Sequence, residues 1–142
     1  MTLIRIAAIV VALIGVSVST ASAQPKAPLP PESTTGQRML ELARGGEPQR
    51  AASIGHGYLA MHPGPPRTGA HCAILVAYAY ADVLLNRTDE ARAAIGVYDR
   101  GCKQRTFRDE FRLEAKRVHR VLAGEALTTV YPTAVPAKPK GP

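Results

Sequence analysis

The residues of this chain that could do chemistry are four histidines (His56, His62, His71 and His119), two cysteines (Cys72 and Cys102), and the carboxylates Asp109, Glu110 and Glu114 set among arginines. A metal site needs ligands at helical or turn spacing, as in His-Glu-x-x-His or paired Cys-x-x-Cys. His56 and His62 are six apart, off a common helix face, and His71 adjoins a cysteine better used elsewhere. The chain has no Cys-x-x-Cys-His for haem attachment, no Gly-x-Ser-x-Gly and no glycine-rich phosphate loop. Paired carboxylates can hydrolyse glycosides. Here Asp109, Glu110 and Glu114 read instead as ion pairs on a solvated helix face. No catalytic residue, metal ligand or cofactor is expected, and a minor periplasmic enzyme ranks last among the functional readings.

The strongest surface feature is basic. Arg105, Arg108, Arg112, Lys116 and Arg120 line one face of the last long helix, and Lys103 and Arg117 add to the cluster. It reads either as a solvated helix with interspersed acids or as a face for an anionic partner, such as an acidic protein, lipid head groups or a polyanion. Nucleic acid is not expected. Export argues against it, and the nearby aromatics, Phe107 and Phe111, fit better as core than as stacking platforms. The formal net charge of +7 favours anionic partners without naming one.

Export is read from the first residues. Arg5 gives a positive n-region, Ile6 to Val18 an apolar h-region, and Ala21-Ser22-Ala23 a small-x-small site. This is a secretory signal with cleavage after Ala23. Its apolar run is shorter than the roughly 20 residues of a membrane anchor. The expected destination is the periplasm of a bacterium, or the exterior. Contact with a membrane surface is compatible with this, spanning is not. An oxidising compartment makes two cysteines a disulfide pair, Cys72–Cys102. Without a Cys-x-x-Cys motif, a redox pair or an intermolecular bridge is less well supported.

The elements that position these residues are helical throughout. Pro25, Pro28, Pro30 and Pro31 make residues 24–33 an extended leader. Thr34-Thr35-Gly36-Gln37 fits a capping box, so the first helix is expected from Thr34, with Gly45-Gly46 ending it. The second starts at Glu47-Pro48 and stops at His62-Pro63. It carries Ala51, Ile54, Tyr58 and Met61 as its apolar stripe, and Gly55 and Gly57 either weaken it or allow close packing. The third, from about Thr68 to Asn86, holds the run from Cys72 to Ala81 and is apolar nearly all round, the mark of a central helix. Ala73, Ala77 and Ala81 form a small-residue ridge on it. The fourth begins at Thr88, and Ala91, Ala94, Ile95, Tyr98 and Cys102 share its inner face. The fifth is expected from Thr106 to Ala123, with Gly124 as its stop. Leu127 to Tyr131 is a weak strand-like run. Residues 126–142, with Pro132, Pro136, Pro139 and Pro142, read as a flexible tail. The expected fold is thus all-α: one domain over 34–125, about five helices and one disulfide. An antiparallel hairpin of the third and fourth helices would bring Cys72 and Cys102 together.

The turn Asn86-Arg87-Thr88-Asp89-Glu90-Ala91 resembles that of tetratricopeptide-type helix pairs, with Ala91 at the family's inter-helix packing position. Ala51 and Pro63 would match in the earlier pair. Ala51 and Ala91 lie 40 residues apart, as do Tyr58 and Tyr98, against a family repeat of about 34. The resemblance covers about residues 36–102. It implies TPR-like hairpins as the alternative to an ordinary antiparallel bundle, and protein or peptide binding as the role. The layout is also similar to that of small periplasmic acid-stress chaperones, although their Trp-x-Cys entry is absent. The expected function is a non-enzymatic protein-binding or assembly module, with a small chaperone as the alternative and the oligomeric state left open.

Overall fold

The computed structural model describes residues 31–133. The expected signal peptide, most of the leader and the last nine residues of the tail lie outside the described residues. The elements are α1 (Pro31–Arg44), α2 (Pro48–Met61), α3 (Gly69–Leu84), α4 (Thr88–Gly101), α5 (Asp109–Leu122) and the single turn α6 (Leu127–Val130). Among the described residues all regular structure is helical.

α3 is the axis of the bundle, and α1, α2, α4 and α5 all pack on it. Its sequence requires this, because a helix apolar on every side must be surrounded. Residues 71–77 and 79–84 are all buried. Thr68 caps it, its Oγ1 accepting from the His71 backbone N–H at 3.1 Å. The small-residue ridge is occupied by α1: a Cβ on Gly36 would stand 3.0 Å from the Ala73 Cβ. Gly55 of α2 is a second close approach, since a Cβ there would meet the Tyr78 ring and the Met39 methyl at under 3 Å. Ala51 and Ala91 are both fully buried.

One device stops α1, α3 and α5. At Gly46, Asn86 and Gly124 the backbone has positive φ. In each case the next residue's N–H reaches back five residues: Glu47 to the Leu42 carbonyl, Arg87 to that of Asp82, and Glu125 to that of Arg120. These are Schellman closures, which satisfy carbonyls the helix end would otherwise orphan. Cys72 and Cys102 are disulfide-bonded and wholly buried, with Cα atoms 5.8 Å apart. The bond joins the start of α3 to the end of α4, as the antiparallel hairpin requires.

Four expectations are corrected. α1 begins at Pro31, so Thr34 lies inside the helix and is not its cap; a proline in the first turn lacks only a donor that would have had no partner. Gln37 instead donates to Glu41, four residues on. α5 begins at Asp109, because residues up to the extended Arg108 are spent crossing the start of α3; there Gly69 admits the Thr106 carbonyl where no larger residue would fit. Met61 ends its stripe in solvent, 79% exposed. The run Leu127–Tyr131 is helical rather than strand-like, and it belongs to the domain: Val130 and Tyr131 are buried, and the Tyr131 ring packs on that of Tyr80.

Candidate functional site: an open groove over the central helix

α2 and α4 both lie on α3 but make little contact with each other. Between them a groove of about 320 Å³ is left open, within the range of small-ligand and peptide-anchor sites. Its floor is one stripe of α3, His71, Leu75 and Tyr78. Leu59, His62 and Pro63 form one wall, and Glu90, Ala93 and Val97 of α4 form the other. An aromatic stack closes the end near the disulfide. The Tyr58 ring lies flat on that of His62 (centroids 4.2 Å apart) and meets His71 edge-on (5.4 Å). His62 Nδ1 is 3.0 Å from the Tyr58 carbonyl oxygen. A carbonyl can only accept, so the proton sits on Nδ1. The fold thus joins two histidines that sequence spacing keeps apart, through a tyrosine and for a packing purpose. Among the described residues no three His, Cys, Asp or Glu side chains are placed to hold a metal ion.

The floor stripe continues one turn further to Asp82, which shares the α3 face of His71, Leu75 and Tyr78 by its spacing. Its carboxylate is 0% exposed, and neither oxygen has a well-formed hydrogen bond; the Tyr78 hydroxyl, one turn back, gives it only a weak contact that opposes the rise of its pKa. Arg87 Nη1 stands 3.8 Å away. That guanidinium spends its own hydrogen bond on Gln49. Burial pushes the Asp82 carboxyl up to about 6. Arg87 opposes the rise and Glu90 adds to it. Tyr78 is raised as well, first by burial and then by the Asp82 charge. Asp82 directly follows the apolar run from Cys72 to Ala81, and sequence reasoning did not single it out. The signal was present, as a lone acid in register with a buried stripe.

The expected basic face is largely engaged within the molecule. Arg108 pairs with Glu110 (3.5 Å) and donates to Gln37. Arg112 lies 4.4 Å over the Phe107 ring, 3.9 Å from Asp109, and donates to the Arg105 carbonyl at 2.7 Å. Arg120 grips Glu125 with two hydrogen bonds. Lys116 and Arg105 are exposed. These five residues do not converge on one patch of unpaired charge.

The carboxylates of α5 are also corrected. Asp109 is solvated, whereas Glu114 is 1% exposed and lies on the buried stripe with Phe111, Ala115 and Val118. Arg44 bridges it to Glu110, at 3.0 and 2.6 Å. Arg117 stands 3.5 Å from it, and the Tyr131 hydroxyl donates to its other oxygen at 2.6 Å. Burial, and then the Glu114 charge, push the Tyr131 hydroxyl far above its usual range. Unlike Asp82, this acid is fully satisfied, and it ties α1, α5 and the chain after α6 together. His119 Nε2 lies 3.0 Å from Asp99 and links α5 to α4. No family model, curated protein or solved structure matches the chain.

Proposed function

We propose that this is a small exported, non-enzymatic binding module. In this reading the groove between α2 and α4 takes a short apolar segment of a partner protein, with a basic side chain of that segment at Glu90. The observation that carries it is the groove itself: an open, mainly apolar cleft on a disulfide-tied frame, with one exposed acid on its rim. Apolar segments laid into such grooves are a recurrent mode of peptide recognition. Charge complementarity selects the cation, because Glu90 is the one acid among the residues lining the groove of an otherwise basic protein. The tetratricopeptide-like turn at Asn86–Ala91 and the disulfide, which is compatible with an oxidising compartment, support the same reading. No described helix is long and apolar enough to cross a membrane.

Selection from a displayed peptide library tests this, with the variant Ala93→Arg as counter-target, since an arginine there fills the groove from an exposed position. The expected yield is peptides with an aliphatic or aromatic anchor followed by lysine or arginine, bound at least tenfold less well by Ala93→Arg. Peptides that bind both forms equally, or that lack the basic residue, refute the groove.

A further inference from the structure

The basic cluster divides in a way that spacing does not reveal. The arginines of α5 are spent on internal carboxylates, carbonyls and a ring. Three cations just before it are not: Arg100, Lys103 and Arg105 have no carboxylate within ion-pair distance among the described residues. All three are exposed, and they line one polar hollow of about 540 Å³ with Gly101 and Gln104. The backbone beneath them is firmly held. Cys102 donates to the Tyr98 carbonyl, and Arg105 donates to that of Cys102 at 3.0 Å, closing a turn over 102–105. The disulfide anchors this turn to α3, Arg112 grips the Arg105 carbonyl, and Pro66 packs so closely on Gly101 that no side chain fits there. A cation at a helix C-terminus answers about half a negative charge of dipole. Three cations on one hollow exceed that need severalfold.

We infer that Arg100, Lys103 and Arg105 form an anion site for phosphate groups, separate from the groove and suited to a ligand carrying two or more negative charges. Two guanidinium forks and an ammonium match phosphate oxygens, which accept several charge-assisted hydrogen bonds at once. A single carboxylate would neutralise only one of the three cations. The phosphate could be free or could belong to a lipid head group.

The test uses the secreted, oxidised chain, titrated calorimetrically with inorganic pyrophosphate. In parallel it is sedimented with phosphatidylcholine vesicles made with and without an equal part of phosphatidic acid. The variant Arg100→Gln/Lys103→Gln/Arg105→Gln removes three exposed cations, and the control variant Arg38→Gln/Arg92→Gln/Arg120→Gln removes three exposed cations elsewhere. Pyrophosphate binding weakened at least tenfold by the Arg100/Lys103/Arg105 change and not by the control variant supports a site for soluble phosphates. Binding only to the phosphatidic acid vesicles, with the same variant pattern, supports a head-group site. No binding in either arm, or losses as large for the control variant as for the Arg100/Lys103/Arg105 variant, overturns the site. Ala93→Arg should leave both arms unchanged, so the groove and the anion site stand or fall separately.

Discussion

Replacing Asp82 with asparagine should make the protein more stable at neutral pH, although it deletes a buried charge with an arginine nearby. The carboxylate has no well-formed hydrogen bond, only a weak contact with the Tyr78 hydroxyl, and its cation stands 3.8 Å away. Its carboxyl is raised from 3.8 to about 6, with burial as the main cause. A folded-state pKa above the unfolded one means that the native state holds the proton longer. Below about pH 4 both states are protonated and the site contributes nothing. Between about 4 and 6 the unfolded chain releases the proton first, so stability falls as pH rises. Above about 6 the penalty is complete. The gap from 3.8 to about 6, at about 1.36 kcal/mol per pH unit, amounts to roughly 3 kcal/mol. The penalty is thus about 2–3 kcal/mol, and Arg87, 41% exposed and 3.8 Å away, offsets it only weakly because water screens it. An asparagine leaves its own amide poorly bonded, at about 1 kcal/mol. The net expectation for Asp82→Asn is a gain of about 1–2 kcal/mol at pH 7.5, or a rise in Tm of roughly 4–10 °C for a domain of this size. The gain should vanish near pH 4. Urea unfolding of both proteins at pH 4 and 7.5 gives the double difference, in which the other titrating groups cancel. A variant less stable than the parent at pH 7.5 would refute the reasoning, because the Arg87 pair would then outweigh the burial of Asp82.

Three further outcomes follow from the packing. Tyr131→Phe removes the 2.6 Å hydrogen bond to buried Glu114 and should cost about 1.5–3 kcal/mol in urea unfolding, as a bond to a charged group does; an unchanged midpoint would mean that water replaces it. Gly57→Ala, where nothing lies within 4 Å of the new methyl, should stabilise by about 0.5–1 kcal/mol, whereas Gly55→Ala should lose stability by pushing into Tyr78 and Met39. If both alanines stabilise, α2 does not rest on α3 as closely as described. Cys72→Ala/Cys102→Ala opens a link spanning 30 residues and should cost about 3–4 kcal/mol by loop entropy, read as a shifted denaturation midpoint. Equal midpoints for the double variant and the parent would contradict it.

How far the fold was legible depended on how local its causes are. α3 was plain because a run from Cys72 to Ala81 admits no solvent face, and the Cys72–Cys102 link followed from an even cysteine count and a hairpin. α2 and α4 start where Pro48 and Thr88 announce them. The start of α1 was missed because Pro31 looks the same at the end of a leader as in a first turn. The start of α5 was missed because Thr106 has the chemistry of a cap, yet its carbonyl is used against Gly69, a contact between residues 37 apart. Tyr131 was hidden by the proline and lysine around it. The spacing of Leu127, Val130 and Tyr131 is nonetheless that of a helical turn packed on one side.

The site was less legible, for a reason that applies to charge in general. A stripe of arginines on α5 counts cations, but availability is set by carboxylates that arrive from elsewhere in the fold. Arg44 of α1 claims Glu110 and Glu114, Gln37 holds Arg108, and Glu125 holds Arg120 only because Gly124 turns the chain back. Once these pairings are assigned, the unspent charge moves off the helix to the turn after α4, which the disulfide holds in place. The groove has a similar origin. α3 is apolar on every side and all four other long helices pack on it, but α2 and α4 barely touch each other and leave His71, Leu75 and Tyr78 as a floor between them. Asp82 at the end of that floor is the counterpart of Glu114. Both are buried acids beside an arginine, but Glu114 is met by Arg44, Arg117 and Tyr131, whereas Asp82 is left without a well-formed hydrogen bond. An acid fully met by its own chain ties elements together, whereas Asp82, out of reach of solvent and poorly met, costs stability once it ionises.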